Sequence, residues 1–139
     1  MKTTGIYRVW MLMITYRQGD IILVWFPDSN LLTMKKRPTI VLQADDLHTG
    51  LDQLIIGMIT SNLVRKGHKS RIFINPNTET GKHSGLLSKS VIMTDNIATL
   101  RTTEIYKKIG EFTDLDKLKD ALIHTFGIKP HAIENRNEI

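Results

Sequence analysis

"GDIILVWFP", residues 19–27, is a near-continuous apolar run rich in β-branched and aromatic side chains, opened by Gly19 and closed by Pro27. A run of that length and composition, bounded by turn residues, reads as a buried strand. The pattern returns in "TIVLQ" (39–43) and "LIIGMIT" (54–60), with the turn-rich "ADDLHTG" between them. "SRIFIN" (70–75) alternates and stops at Pro76, "GKHSG" (81–85) reads as loop, and "SVIMT" (90–94) as a further strand. "EIYKKIGEF" (104–112) predicts a last strand, interrupted at Gly110 as by a bulge. One helix is expected: Leu115, Leu118, Leu122 and Phe126 recur at helical spacing, Thr113 or Asp114 caps the start and Gly127 ends it. Five to six short antiparallel strands and a C-terminal helix predict a small, mostly β barrel or sandwich.

Around that pattern the 139 residues suit one domain able to bury its own core. Apolar residues make up 41% and charged residues 24%, an ordinary balance for a globular protein. The chain has no cysteine, which excludes disulfides, thiolate metal sites and cysteine nucleophiles, and fits a cytoplasmic location. The apolar stretch Val9 to Ile14 is too short for an export signal or a membrane span. Met11 and Met13 stand just before "ITYRQGD", so residues 1–12 are expected to be a dispensable extension. Residues 13–127 would form the domain and 128–139 a flexible tail.

The formal net charge of +5 is unevenly spread. Between Lys35 and Arg71 seven cations face three acids, a local net of +4; between Glu111 and Phe126 four acids face two lysines, a local net of −2. A basic centre is what a polyanion-binding face requires, although a solvated basic surface has the same composition. If the first three strands form an up-down-up meander, Pro27, Arg37 and Thr60–Ser61 gather at one sheet edge. The loops 27–36 and 62–69 then hang over that edge, bringing Lys35, Lys36, Arg65, Lys66, His68 and Lys69 to it. Arginine matches phosphate bidentately and lysines add unspecific attraction, so the edge suits a nucleic-acid backbone.

At these residues the chain resembles the MazF/PemK family of toxin endoribonucleases from type II toxin–antitoxin systems. The resemblance rests on "GDIILVWFP" (19–27), "RPTIVLQ" (37–43), "MITS" (58–61), "GLLSKSVIMTDNIATL" (85–100) and "IGEF" (109–112), in the family's order. It implies an SH3-like, MazF-type β barrel with a C-terminal helix, usually a homodimer. It also implies metal-independent cleavage of single-stranded RNA, no cofactor, and an antitoxin partner whose acidic disordered segment covers the basic edge. The family's catalytic arginine falls on Arg37 and its threonine on Thr60. The chain departs from the pattern at "SNLLTMK", where the family often carries a Gly-Ser-Glu type loop, and at "NIAT", where Ala98 stands for an arginine. Those departures keep two alternatives open: a non-catalytic toxin of the same fold that binds gyrase or another target, and an inactive RNA-binding paralogue.

Cleavage without a metal needs a 2′-hydroxyl to attack its neighbouring phosphorus while the phosphorane charge is stabilised. Arg37 suits that stabilisation, because a fixed fork of donors aimed at developing charge is often the largest catalytic effect. A guanidinium gives up its proton with great difficulty, which makes acid or base duty harder to assign to it. Thr60 would orient the 2′-hydroxyl or a phosphate oxygen, with Ser61 beside it on the other strand face. Without the resemblance, Arg37 is a strand-end cation and Thr60 an ordinary strand residue. His48 and the acids Asp45, Asp46 and Asp52 belong to the far turn, and no metal-ligand spacing is present. Asp95 reads as a turn or cap residue. Trp25 and Phe26 point to opposite faces, with core packing the better use of each.

Overall fold

The computed structural model describes residues 16–129. The expected N-terminal extension and all but two residues of the expected tail lie outside them. Six strands run in the order β1 (Asp20–Pro27), β2 (Met34–Val41), β3 (Gln53–Thr60), β4 (Arg71–Ile74), β5 (Ser90–Arg101) and β6 (Ile105–Glu111). Helix α1 (Glu79–Ser84) lies between β4 and β5, and α2 (Leu115–Phe126) follows β6. The strands form one antiparallel sheet, ordered β4-β5-β3-β2-β1-β6, that curls into a half-barrel. The expected meander of the first three strands is present, and so is the C-terminal helix. Asp114 caps that helix by accepting the Lys117 N–H, and Gly127 ends it at φ 64°.

Strand alternation divides the core between the two faces of the sheet. Ile21, Ile40, Ile59, Ile72 and Ile92 point to one face and are sealed there by Leu118 and Ala121 of α2. Ile22, Val24, Val41, Ile56, Met58 and Leu100 pack on the other. The Gly-Asp pair that opens β1 serves this architecture. Gly19 has φ 94°, and a Cβ there would lie 2.9 Å from the Phe112 carbonyl oxygen. The buried Asp20 carboxylate accepts the Arg17 N–H at 2.8 Å and meets Lys108 Nζ at 3.2 Å, which ties β1 to β6. The irregularity expected near Gly110 is a register shift between Ile21↔Gly110 and Ile22↔Lys108.

Four expectations need correction. Trp25, expected in the core, is exposed and stands edge-on to Tyr106. "GKHSG" is mostly helix: Thr78 accepts the Gly81 N–H, Gly85 closes the turn at φ 72°, and six residues are too few to show a period. The second strand starts at Met34, so Lys35 and Lys36 are strand residues paired with Phe26 and Trp25, not members of a mobile loop. The loop before it is pinned, because Asp28 Oδ2 accepts the Thr33 hydroxyl at 2.6 Å and Asn30 accepts the Leu32 N–H at 2.9 Å. Finally, Asp95 is no turn residue. It lies inside the 12-residue β5, whose pairing carries on beyond it to Arg101.

The hydrogen bond between Lys108 and Glu111, 2.8 Å long, raises the ammonium pKa and lowers the carboxyl pKa from their ordinary values. Because the folded Glu111 pKa lies below its unfolded one, its stabilising contribution is present at neutral pH and is lost as pH falls through the lowered value. The contribution of Lys108 is also present at neutral pH and is lost only as pH rises through its raised value. Lys108→Met is therefore expected to lower the urea midpoint at pH 7, and to do so less once the pH falls below the ordinary carboxylate range. An equal loss at pH 7 and below that range would show that the methionine acts through packing instead of charge.

Candidate functional site

The β2–β3 ladder pairs Val41 with Ile56, Ile40 with Gly57 and Thr39 with Met58, and there it stops. One more step of that register would place Pro38 opposite Ile59, but proline has no N–H to give to a neighbouring strand. The strands separate, and a cavity of about 290 Å³ opens between Phe26, Pro27, Arg37, Pro38, Thr60 and Asn96. Arg37 and Thr60 line it together. By alternation from Val41 and Met58, both belong to the face that carries the second half of the core.

A second cavity of about 350 Å³ continues on the far side of Thr60 and Met93, lined also by Asn62, Val64, Arg65 and Arg71. The two lobes share Thr60 and Met93 as a common wall. An irregularity in β5 shapes both. Met93 pairs with Met58 and Ile97 with Gly57, so Thr94, Asp95 and Asn96 have no partner on β3. Bulges of this kind re-aim side chains beside functional sites. Here Thr94 turns inward and bonds to the Ser70 carbonyl and the Thr125 hydroxyl of α2, while Asn96 turns into the first lobe.

Arg37 is held at the cleft by a carboxylate that sequence reading passed over. Its Nη2 donates to Asp28 Oδ1 at 3.2 Å, and Lys35 Nζ lies 4.0 Å from the same oxygen. A lone aspartate in a polar loop carries no pattern that would single it out. Thr60 Oγ1 accepts the Asn62 N–H at 3.1 Å, which leaves the hydroxyl proton to donate outward. No histidine or carboxylate lines either lobe.

The remaining predicted residues disperse. Arg65 lines the second lobe, and Ser61 is exposed at the end of β3. Lys66 lies over the Phe73 ring at 5.0 Å. Lys36 leaves the cleft: its ammonium sits 3.9 Å above the Tyr106 ring and 5.3 Å from Trp25, on the sheet face opposite to Arg37. His68 accepts the Ser70 N–H on Nδ1 and stacks edgewise on His124, so it faces α2. Lys69 lines a hollow beside Lys117 and Asp120 on that same side. Ala98 pairs with Ile56 and packs on the second core cluster, away from both lobes. Among the described residues no group of three or more His, Asp or Glu could hold a metal ion, and no helix is long and apolar enough to cross a membrane.

Comparison with known proteins places this geometry. The family described as "PemK-like, MazF-like toxin of type II toxin-antitoxin system" matches residues 17–126. Among solved structures, the chain is similar to a mycobacterial endoribonuclease in complex with its cognate antitoxin, at 18% identity and a TM-score of 0.61, over 82% of this chain and 97% of that one. The Mycobacterium tuberculosis toxin MazF-mt6 aligns at 18% identity and a TM-score of 0.62, over 80% and 99%. MazE–MazF from Deinococcus radiodurans gives 17% identity and a TM-score of 0.60, over 81% and 97%. No curated protein matches the chain.

The Asp28 carboxylate partly neutralises the two cations at the cleft mouth. Asp28→Asn keeps an acceptor for Thr33 while removing the charge, so the variant is expected to elute from immobilised heparin at higher salt than the parent. Asp46→Asn, in the far turn, makes the same change in net charge and is expected to shift elution less. Equal shifts would mean that the column reads net charge alone.

Proposed function

The chain belongs to the PemK-like, MazF-like toxin family of type II toxin–antitoxin systems, and from that premise we propose that it is an endoribonuclease that cuts single-stranded RNA without a metal. The observation that carries the reading is the cleft where β2 and β3 part, with Arg37 and Thr60 on one face of it. Cleavage proceeds by attack of a 2′-oxygen on the adjacent phosphorus, with loss of the 5′-oxygen and formation of a 2′,3′-cyclic phosphate. Arg37 exchanges its contact with Asp28 for the phosphorane oxygens and holds their charge. Thr60 donates its hydroxyl proton to a phosphate oxygen while its lone pair keeps the Asn62 N–H. With no group that titrates near neutrality lining the lobes, water in the open cleft takes the 2′ proton and supplies one to the leaving oxygen.

Two partners belong to the same proposal. A second copy of the chain completes a homodimer, and an antitoxin with an acidic, disordered segment lies across the basic edge and keeps RNA out. The target is messenger RNA in the cytoplasm, and its cleavage arrests growth. Lys36 and His68 are engaged away from the lobes and Lys69 lies beside α2, which favours Lys35, Arg37, Thr60, Arg65 and the loops beside them as the RNA contacts.

Arg37→Ala is expected to fold as the parent does and to lose at least about a hundredfold in the rate of cleavage of a single-stranded oligoribonucleotide. The assay is run in chelator, with the 3′ ends of the products analysed. Undiminished cleavage by the variant would falsify the role of Arg37. Free 3′-hydroxyl ends would replace the 2′-oxygen mechanism with hydrolysis of the other bond. Thr60→Val is expected to slow cleavage less than Arg37→Ala, since it removes one neutral donor where the other removes a charged fork.

A further inference from the structure

The second lobe has a guanidinium of its own. Arg71 opens β4 and pairs across the sheet with Met93, which pairs in turn with Met58. Paired residues of neighbouring strands share a face, so Arg71 stands on the cleft face in one row with Thr39, Met58 and Met93. Its side chain is only 14% exposed, yet it lines the second lobe together with Thr60 and Arg65. The bulged Asp95 grips it from the side. Nη2 donates to Oδ2 at 3.1 Å, and Nε lies 2.7 Å from Oδ1 as an ion pair without the alignment of a hydrogen bond.

That contact aligns only one of the five N–H donors of the guanidinium; Arg71 also borders the hollow that holds Asp120 on the α2 side, while no acid lines the second lobe. A largely buried cation with donors left over and its orientation set by a carboxylate is built to receive an anion. Arg71 and Arg37 stand three strand spacings apart in the sheet and two residues out of row, roughly 16 Å between backbones, and the shared wall at Thr60 joins their lobes. A single strand with one phosphate at Arg37 and Thr60 therefore passes Arg71 within a few nucleotides.

We infer that Arg71 is a second phosphate-binding residue, oriented by Asp95, which fixes the path of the RNA backbone beyond the scissile bond. The inference rests on the RNA-cleaving reading of the cleft. Arg65, on the exposed loop, adds attraction without a fixed place. Asp95 is a positioning residue: it touches Arg71 and not the strand.

The test uses the whole chain and a fluorescent single-stranded 12-mer with 2′-O-methyl riboses, which cannot be cut because the attacking hydroxyl is blocked. Binding is followed by anisotropy over a range of salt. Arg71→Met is expected to weaken binding about tenfold at low salt and to flatten the plot of log K against log salt by about 0.7, the value for one phosphate contact on a single strand. Asp95→Asn is expected to keep the slope of the parent while cleavage of the corresponding oligoribonucleotide slows. As a readout that does not depend on how a variant folds, neutral methylphosphonates are placed one at a time along the 12-mer and tested on the parent protein. Two separated positions are expected to weaken binding. A single sensitive position, or an Arg71→Met slope equal to the parent's, makes Arg71 a brace between β4 and β5 and overturns the inference alone. No binding by the parent overturns the RNA reading itself.

Discussion

Pro38 has no N–H to offer a neighbouring strand, and the sheet opens beside it. Everything proposed for the cleft follows from that opening. Had the β2–β3 ladder continued, Arg37 and Thr60 would be a cross-strand pair with Cβ atoms about 5 Å apart and no room for a phosphate between them. The parted strands keep both residues on one face while separating their backbones. The rest of the fold holds that gap at a fixed width. On one side β1 is anchored to β6 and the corner before α2 through Gly19 and Asp20. On the other, Thr94 binds the bulge of β5 to the Ser70 carbonyl and to the end of α2.

Much of this was readable along the chain, for reasons that differ from element to element. The buried runs of β1 and β3 and the amphipathic period of α2 are local signals, and their ends carry residues with a conformational reason to be there. The meander followed from short connections, and with it the meeting of Arg37 and Thr60. The short helix α1 was hidden because one and a half turns give no period, and because Gly81 suggests loop. A Cβ at Gly81 would meet the Asn75 carbonyl, so the glycine is required by packing and not by flexibility. The length of β5 was hidden by its own bulge. Asp95 and Asn96 look like a turn, and nothing local says that pairing resumes at Ile97.

Side-chain direction was the harder part. Lys35, Lys36 and Arg37 are alike in sequence, yet strand alternation sends Lys36 to the far face, where two exposed rings receive its ammonium. His68 and Lys69 turn toward α2, because Ser70 is buried and draws the end of the loop down. Arg71 went unnoticed for the opposite reason. It sits at the head of an alternating strand as a generic exposed cation would, and only the pairing with Met93 and the grip of Asp95 bring it to the cleft.

The two arginines differ in how they are held, and the difference orders their roles. The Arg37–Asp28 pair has one hydrogen bond of 3.2 Å, and the arginine side chain is 40% exposed. The buried partner of this pair is the aspartate, 16% exposed, which keeps the Thr33 hydroxyl and Lys35 when Arg37 turns to a phosphate that accepts two guanidinium N–H groups. Arg71 touches Asp95 through two nitrogens in a setting only 14% exposed, and breaking that contact would leave a charge poorly solvated. On the proposed reading Arg71 keeps its acid and meets the strand with its remaining donors, whereas Arg37 gives its acid up. A cation that stays in place defines where the backbone lies. A cation that changes partners is free to follow charge as it builds on the reacting phosphorus, and that leaves Arg37 as the reacting group and Arg71 as the fixed point it works against.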